Sequence, residues 1–192
     1  GLISLVVKKK IYLIIDEVYL MVDGSLKSLY TKIRDNDLLR NYLIIVSSFS
    51  KYYAIPGWRV GYIFAEKDII KNLCKLQSTI SGCCCKASQE LAYDLLDNNF
   101  SPDLSFLKES KIKIEKILEE NGWKIGKSNG KGNQMYIFPY HDDINIVNRL
   151  ESKLVANNIF IINGKSFGNE NCLRILLPIN ENELDLLIKC LN

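Results

Sequence analysis

The sequence predicts an α/β fold in its first half and a smaller, mixed α+β lobe in its second half. Short, nearly continuous apolar runs at 11–16, 42–49 and 60–65 have the length of strands buried on both faces. Such strands are typical of a parallel or mixed sheet covered by helices. A strong helix-start signal just after residue 100 opens a second series of elements. We therefore expect two domains, at 1–100 and 101–192.

Helical patterns separate and follow the three apolar runs. The pattern at 26–41 is weak, whereas the pattern at 66–78 has a clear apolar face. That face is made of Ile69, Ile70, Leu73 and Leu76. Neither a helix nor a strand is predicted before residue 11, and the lysines at 8–10 are expected to form a solvated turn.

The second lobe begins with a long predicted helix. Ser101 is the expected N-cap, Pro102 occupies the first helical position, and Asp103 places an acid in the first turn. The apolar stripe that follows consists of Leu104, Leu107, Ile114 and Leu118 and stops before Gly122. Further strands are expected at 135–138, 159–162 and 173–177, and further helices at 144–156 and after Asn180, which has Glu183 in capping-box spacing.

Composition excludes several classes of protein. The 192 residues, 47% of them hydrophobic and 24% charged, match an ordinary globular protein rather than a disordered one. The net charge of +3 is too small and too evenly spread to favour nucleic acid or an anionic membrane as a partner. The single histidine, His141, argues against a Ser-His-Asp triad. Because no apolar stretch could span a bilayer and no secretory signal is visible, we expect a cytoplasmic protein.

The six cysteines do not show the paired C-x-x-C spacing of a zinc site. They are Cys74, Cys83, Cys84, Cys85, Cys172 and Cys190. We interpret them as small apolar side chains in a reducing compartment. A metal or redox role for the run at 83–85 is the less favoured alternative.

Polar side chains follow each apolar run of the first domain. In open α/β sheets, ligands bind just beyond the carboxyl ends of the strands. The residues at these places are Asp16, Glu17, Tyr19, Ser47, Ser48, Ser50, Lys51 and Arg59. Taken singly, each has an ordinary structural explanation, such as a cap, a solvated charge or an internal ion pair. Together on one rim, they would suit an anionic cofactor with a basic ring nitrogen.

Three motifs in a fixed order favour a functional explanation of these residues over a purely structural one. DEVY at 16–19, SFSK at 48–51 and GWRVGY at 57–62 resemble signatures of class I/II aminotransferases, which are pyridoxal-phosphate enzymes of fold type I. NGKSFG at 163–168, followed by Arg174, resembles a later family turn and strand more loosely, because the family usually has proline at the position of Asn163. The resemblance implies a mainly parallel sheet flanked by helices, plus a small C-terminal α+β domain.

The resemblance covers the C-terminal half of a typical family member. Residues 1–100 would be the C-terminal part of the large cofactor-binding domain, and residues 101–192 the small domain. Phosphate-binding and ring-stacking segments that precede DEVY in the family are not found in the 192 residues. We therefore expect the chain to lack the N-terminal half and to leave a hydrophobic sheet edge exposed.

The resemblance implies a catalytic role for three residues. Lys51 would form the Schiff base with pyridoxal 5′-phosphate and then move a proton between the substrate α-carbon and the cofactor. Asp16 would pair with the pyridine nitrogen and keep it protonated. Tyr19 would donate a hydrogen bond to the ring 3-oxygen.

The resemblance implies binding roles for four more residues. Ser48 and Arg59 would hold the cofactor phosphate, Arg59 as a charge-assisted fork. Ser50 would either contact the phosphate or cap a turn. Arg174 would clamp the substrate α-carboxylate through two hydrogen bonds. Trp58 is expected to be a packing residue.

The function that the resemblance implies is transfer of an amino group from an amino acid to a 2-oxo acid. The alternatives are a decarboxylase or lyase on the same scaffold, or a truncated, non-catalytic homologue. Family members are homodimers, so a second subunit is the expected partner. Which amino acid is used is not predicted.

Overall fold

The chain divides into two units, Gly1–Pro102 and Asp103–Asn192. The structure is a computed structural model that describes residues 2–19, 37–126 and 135–192. Each unit has a hydrophobic core of its own. Within the described ranges, no helix is both long enough and apolar enough to cross a membrane.

The described part of the first unit contains a three-stranded sheet. Its strands are β1 (Leu13–Asp16), β2 (Leu43–Ser48) and β3 (Gly61–Ala65), in the order β1-β2-β3. The three apolar runs therefore all form strands. β1 and β2 are parallel, whereas β3 is antiparallel to β2. The connection from β2 to β3 contains only a short 3₁₀ helix, Pro56–Trp58, so the chain returns beside β2 instead of crossing over to a parallel position.

Helices accompany this sheet. They are α1 (Leu2–Lys9), α2 (Asp37–Arg40), α3 (Lys67–Ile80) and α4 (Lys86–Asp97). The expectation that no helix precedes the first strand is wrong, because α1 forms there. Val6 is buried against Leu39, Leu43 and Ile45, which gives this short helix its packing partner. The lysines at 8 and 9 lie in the last turn of α1, where positive charge is favourable to the helix dipole.

The other helices of this unit agree only partly with the sequence pattern. Of the weak pattern at 26–41, residues 26–36 lie outside the described residues, and α2 covers most of the remainder. α3 begins within one residue of the expected start, but Leu76 on its apolar stripe is 55% exposed. α4 was not predicted, because its buried positions are the small residues Ser88 and Ala92 rather than large apolar ones.

The second unit combines three helices with short antiparallel strands in its described part. In chain order these are α5 (Ser105–Glu120), β4 (Lys124–Ile125), β5 (Tyr136–Ile137), β6 (Pro139–Tyr140), α6 (Ile144–Ala156), β7 (Ile161–Asn163), β8 (Leu173–Leu176) and α7 (Glu181–Leu191). β8 is the central strand of the sheet β5-β8-β7, and β4 pairs with β6. Of the strand expected at 135–138, only Tyr136–Ile137 forms a strand, and β6 follows after Phe138 with a different partner.

α5 begins three residues later than the sequence predicts. Asp103 accepts a hydrogen bond from the backbone N–H of Ser105 at 2.9 Å, and this bond lowers the pKa of the Asp103 carboxyl. Ser101, the expected N-cap, lies 2.8 Å from the hydroxyl of Tyr52 instead. Ser101 and Pro102 therefore precede the helix, and Leu104 is its N-terminal boundary without a side-chain cap.

The core of the second unit lies between the helices and the β5-β8-β7 sheet. Ile114 and Leu118 of α5 pack there with Val147 and Leu154 of α6 and with residues of α7 and β8. Asn180 caps α7 by accepting from the backbone N–H of Glu183 at 3.0 Å, as predicted. The apolar faces of the three helices therefore meet the sheet in one buried hydrophobic cluster.

We predict that Ile114→Ala destabilises the second unit by about 2–5 kcal/mol, because it removes methyl groups from a fully buried site and leaves a cavity. The matched control is Ile112→Ala on the same helix, where the side chain is 67% exposed. Urea unfolding of the two variants measures the difference. Equal midpoints for Ile114→Ala and Ile112→Ala would contradict the assigned core.

Candidate active site

The strand directions bring three predicted site residues to one edge of the first sheet. Asp16 ends β1 and Ser48 ends the parallel strand β2, so both lie at the carboxyl ends of their strands. β3 runs the other way, and its first residue, Gly61, pairs with Ser48. Arg59, two residues before β3, therefore approaches the same edge.

The chain turns immediately after Asp16. One oxygen of the Asp16 carboxylate accepts a hydrogen bond from the backbone N–H of Val18 at 3.0 Å, while the side chain remains exposed. Glu17 stays attached to the sheet, because its backbone N–H donates to the carbonyl of Val46 at 2.8 Å. The turn brings Tyr19 to the Lys51 amine, which lies 5.7 Å from the centre of the tyrosine ring.

Two serines tie the Lys51 loop to the entry of β3. The hydroxyl oxygen of Ser48 accepts from the backbone N–H of Ser50 at 3.1 Å and lies 2.8 Å from the Ser50 hydroxyl. The same oxygen lies 3.2 Å from the carbonyl oxygen of Val60. Ser48 thus caps the turn before Lys51, and its hydroxyl joins that turn to Val60, the residue after Arg59.

Buried aromatic residues on both sides of Lys51 in the sequence anchor its loop. Phe49 and Tyr52 are both buried, and the ring of Phe49 stacks on Tyr53 with 5.1 Å between centroids. The Tyr52 hydroxyl lies 2.8 Å from Ser101. Burial raises the pKa of the Tyr53 phenol. These buried aromatic residues are not predicted from the sequence, although the alternation of aromatic and polar residues around Lys51 was the available signal.

Arg59 adopts a left-handed backbone conformation with φ of 52°. Its guanidinium donates to the carbonyl oxygen of Pro56 at 2.8 Å, across the short 3₁₀ helix. Trp58, expected to be a packing residue, is 46% exposed. Both side chains line a pocket of about 580 Å³ in the first unit.

Arg174 lies on β8 in the second unit, opposite Ile162 of β7. Its guanidinium carbon lies 4.5 Å from the centre of the Tyr136 ring and 5.2 Å from that of Phe167. Stacking on two aromatic faces is a geometry that arginine adopts and lysine does not reproduce. The side chain is thereby held in a defined position on the strand.

The turn before Arg174 depends on a glycine and on Asn163. A side chain at Gly164 would place its Cβ 2.7 Å from the Cβ of Cys172, so only glycine fits. Asn163, where the family pattern has proline, accepts from the backbone N–H of Lys165 at 2.9 Å and donates to Glu151 at 2.7 Å. These two bonds stabilise the turn at the position where the motif departs from the family.

The six cysteines differ in burial: two are buried, three are exposed and Cys84 is half-buried. Cys172 and Cys190 are buried in the second unit, as expected of small apolar residues. Cys74, Cys83 and Cys85 are exposed, so that expectation is wrong for them, because they lie on a helix surface and a loop rather than in a core. Across the described ranges, no cluster of histidine, cysteine and carboxylate side chains could hold a metal ion.

The whole chain matches a known family. Residues 1–191 match the family model described as aminotransferase class I and II. The chain belongs to this family.

Individual aminotransferases are also similar to this chain in sequence. The aspartate aminotransferase of Sulfurisphaera tokodaii is 30% identical over 148 residues, which are 74% of this chain and 35% of that protein. The aspartate aminotransferase of Thermotoga maritima is 28% identical over 178 residues, covering 91% of this chain and 45% of that protein. The chain thus spans less than half the length of these curated relatives.

Solved aminotransferase structures share the fold. The crystal structure of the Thermotoga maritima aspartate aminotransferase superposes with a TM-score of 0.77 at 22% identity, covering 99% of this chain and 49% of that one. The α-aminoadipate aminotransferase of Thermus thermophilus, complexed with N-(5′-phosphopyridoxyl)-L-leucine, gives 0.78 at 21% identity, covering 99% of this chain and 52% of that one. The predicted family and the fold type I class are confirmed.

We predict that Gly61→Ala weakens the sheet edge of this aminotransferase chain by about 1–3 kcal/mol, because the new Cβ would lie 2.7 Å from the backbone oxygen of Ser47. Gly57→Ala is the control, since nothing lies within 4 Å of its Cβ position. Thermal unfolding compares the two. If Gly61→Ala unfolds no earlier than Gly57→Ala, the close approach of β2 and β3 at this edge is wrong.

Proposed function

We propose that this chain forms part of a pyridoxal-phosphate-dependent aminotransferase and carries its cofactor-binding lysine, Lys51. The observation that carries the proposal is the position of the Lys51 amine beside Tyr19, at the sheet edge that also holds Asp16 and Ser48. The family match supports the reaction class. The relative solved with N-(5′-phosphopyridoxyl)-L-leucine supports the cofactor.

The chemistry of the side chains fits this cofactor. A phosphorylated hydroxypyridine aldehyde needs a carboxylate for its ring nitrogen, a donor for its phenolic oxygen, an amine for its aldehyde and cationic or hydroxyl groups for its phosphate. Asp16, Tyr19 and Lys51 are the carboxylate, the phenol and the amine. Ser48 and Arg59 supply the hydroxyl and the guanidinium. The bond from Val18 fixes the orientation of the Asp16 carboxylate.

Five site residues of the first unit would then each have one task in the reaction. When bound, pyridoxal phosphate supplies the electron sink for cleavage of a bond at the substrate α-carbon. Lys51 would take the proton from that carbon and return one to the acceptor position, acting as general base and then as general acid. Asp16 would hold a proton at the ring nitrogen, and Tyr19 would donate a hydrogen bond to the ring oxygen. Ser48 and Arg59 would anchor the phosphate.

Arg174 of the second unit would hold the substrate carboxylate. Its position against Tyr136 and Phe167 supports this role, because a guanidinium held by two rings loses little freedom when it binds a planar carboxylate. The proposed substrates are an amino acid and a 2-oxo acid.

The proposed assembly is a cytoplasmic homodimer. Exposed apolar residues on the first sheet, including Ile14 and Phe64, support contact with a second subunit.

We predict that pyridoxal phosphate followed by borohydride reduction labels Lys51, because its amine lies beside the Tyr19 ring at the sheet edge that also carries Asp16. Peptide mass mapping of the digested chain locates the pyridoxyl group. Lys51→Ala should remove the label, and Lys71→Ala, a change on the exposed surface of α3, should keep it. A pyridoxyl group mainly on another lysine would reject the assignment of Lys51.

We predict that Asp16→Asn lowers the rate of 2-oxo-acid-dependent amino-group exchange on the order of 100-fold, because an amide cannot keep the ring nitrogen protonated. Labelling of Lys51 should persist, since the phosphate and lysine contacts remain. Asp68→Asn, in the first turn of α3, is the matched control and should leave the rate unchanged.

Two results would contradict the proposed reaction. Release of carbon dioxide from an amino acid without any dependence on a 2-oxo acid would identify a decarboxylase on the same scaffold. Failure of the chain to acquire a borohydride-stable pyridoxyl group at all would identify a non-catalytic homologue.

A further inference from the structure

A cluster of three consecutive cysteines shares a pocket with Arg59. The pocket, of about 580 Å³, is formed by residues 57–59, the end of α3 and the loop carrying Cys83, Cys84 and Cys85. We call it the cysteine pocket. Three cysteines and Arg59 therefore line the same cavity, and the proposed aminotransferase reaction uses none of the cysteines.

Cys85 is the thiol that the surrounding backbone activates. It is the N-terminal boundary residue of the 12-residue helix α4, and it lies exposed. Hydrogen bonds from the backbone N–H groups of Ser88 and Ala87 lower the pKa of the Cys85 thiol. Because the thiolate is the reactive form of cysteine, a lowered thiol pKa increases the fraction of Cys85 that can act as a nucleophile.

The other two cysteines of the run have different surroundings. Cys84 is half-buried and packs against the cluster of Phe49, Val60 and Ala92. Its sulfur lies 3.6 Å from the carbonyl oxygen of Arg59, to which the thiol can donate. Cys83 is exposed in the loop before α4. Cys84 is thus a packing residue that joins the loop to Arg59, whereas Cys85 faces solvent at the helix start.

Arg59 is the cationic residue among those that line the pocket. The Arg59 guanidinium has five N–H donors, and the bond to Pro56 uses one nitrogen. Lys86 is the first residue of α4, next to Cys85, and the positive end of the helix dipole adds to its charge. An anion attracted to Arg59 in the pocket would therefore enter a cavity that Cys85 also lines.

We propose that Cys85 is a thiol-exchange site for small disulfides that carry carboxylate groups. The Cys85 thiolate attacks one sulfur of the disulfide, a new sulfur–sulfur bond forms and the old one breaks. The departing thiolate leaves with the electron pair and takes a proton from water. The disulfide is the oxidant, so the step needs no other co-reactant. The product is a mixed disulfide on Cys85 whose carboxylate lies against Arg59.

The site of exchange is tested by mass mapping. The reduced chain is incubated with 3,3′-dithiodipropionate, and the adduct is located in a digest. We expect the first adduct on Cys85, its loss in Cys85→Ser, and its retention in Cys74→Ser and Cys83→Ser. Serine keeps an acceptor at the start of α4, so Cys85→Ser is expected to fold. A first adduct on Cys74 or Cys83 would overturn the proposal.

The preference for anions is tested by comparing rates. Exchange with 3,3′-dithiodipropionate is compared with exchange with cystamine, a cationic disulfide of similar size, each rate being divided by that of a free cysteine peptide. We expect the anion to be favoured about tenfold in the unmodified chain. Arg59→Gln should remove most of this preference, whereas Arg59→Lys, which keeps the charge, and Arg149→Gln, a change on the exposed surface of α6, should preserve it. Equal normalised rates for the two disulfides would overturn the role of Arg59.

Discussion

The parallel pairing of β1 with β2 is the constraint on which the candidate site depends. It places the carboxyl ends of both strands at one edge, so that Asp16 and the loop after Ser48 leave the sheet side by side. A shift of one residue in this register would turn the exposed Asp16 side chain to the opposite face. The apolar residues between α1 and the sheet, including Val6 and Ile45, oppose such a shift because they are buried in one cluster.

β3 runs antiparallel to β2 and therefore begins at the sheet edge where Asp16 and Ser48 lie. Because the connection contains a short 3₁₀ helix and no crossover α-helix, β3 returns antiparallel, and Arg59 enters the sheet from the end at which Asp16 and Ser48 leave it. Ser48 then bridges the two segments through Ser50 and Val60. The serine hydroxyl therefore has a structural task in this chain as well as its proposed contact with phosphate, and Phe49 and Tyr52 anchor the loop because both are buried.

Strands were the easiest elements to predict from the sequence, because their apolar runs are short, uninterrupted and bounded by polar residues. The helix α4 was not predictable by the same rule, since its buried positions are Ser88 and Ala92. The start of α5 was misplaced because Ser101, a good N-cap by type, lies against Tyr52 instead. That contact joins residues 49 positions apart, and no local pattern contains it. For the site, strand ends indicated where to look, but only the family motifs assigned individual tasks to Lys51 and Asp16.

The cysteine pocket and the candidate active site share one segment of backbone. The carbonyl of Arg59 lies beside Cys84, while its guanidinium is proposed to bind the cofactor phosphate. A mixed disulfide on Cys85 would place a carboxylate in the pocket that this guanidinium borders. One arginine cannot neutralise two anions as well as it neutralises one, because each would reduce the field available to the other. If both proposals hold, thiol exchange at Cys85 and phosphate binding at Arg59 therefore oppose each other, and by thermodynamic reciprocity each weakens the other by the same factor.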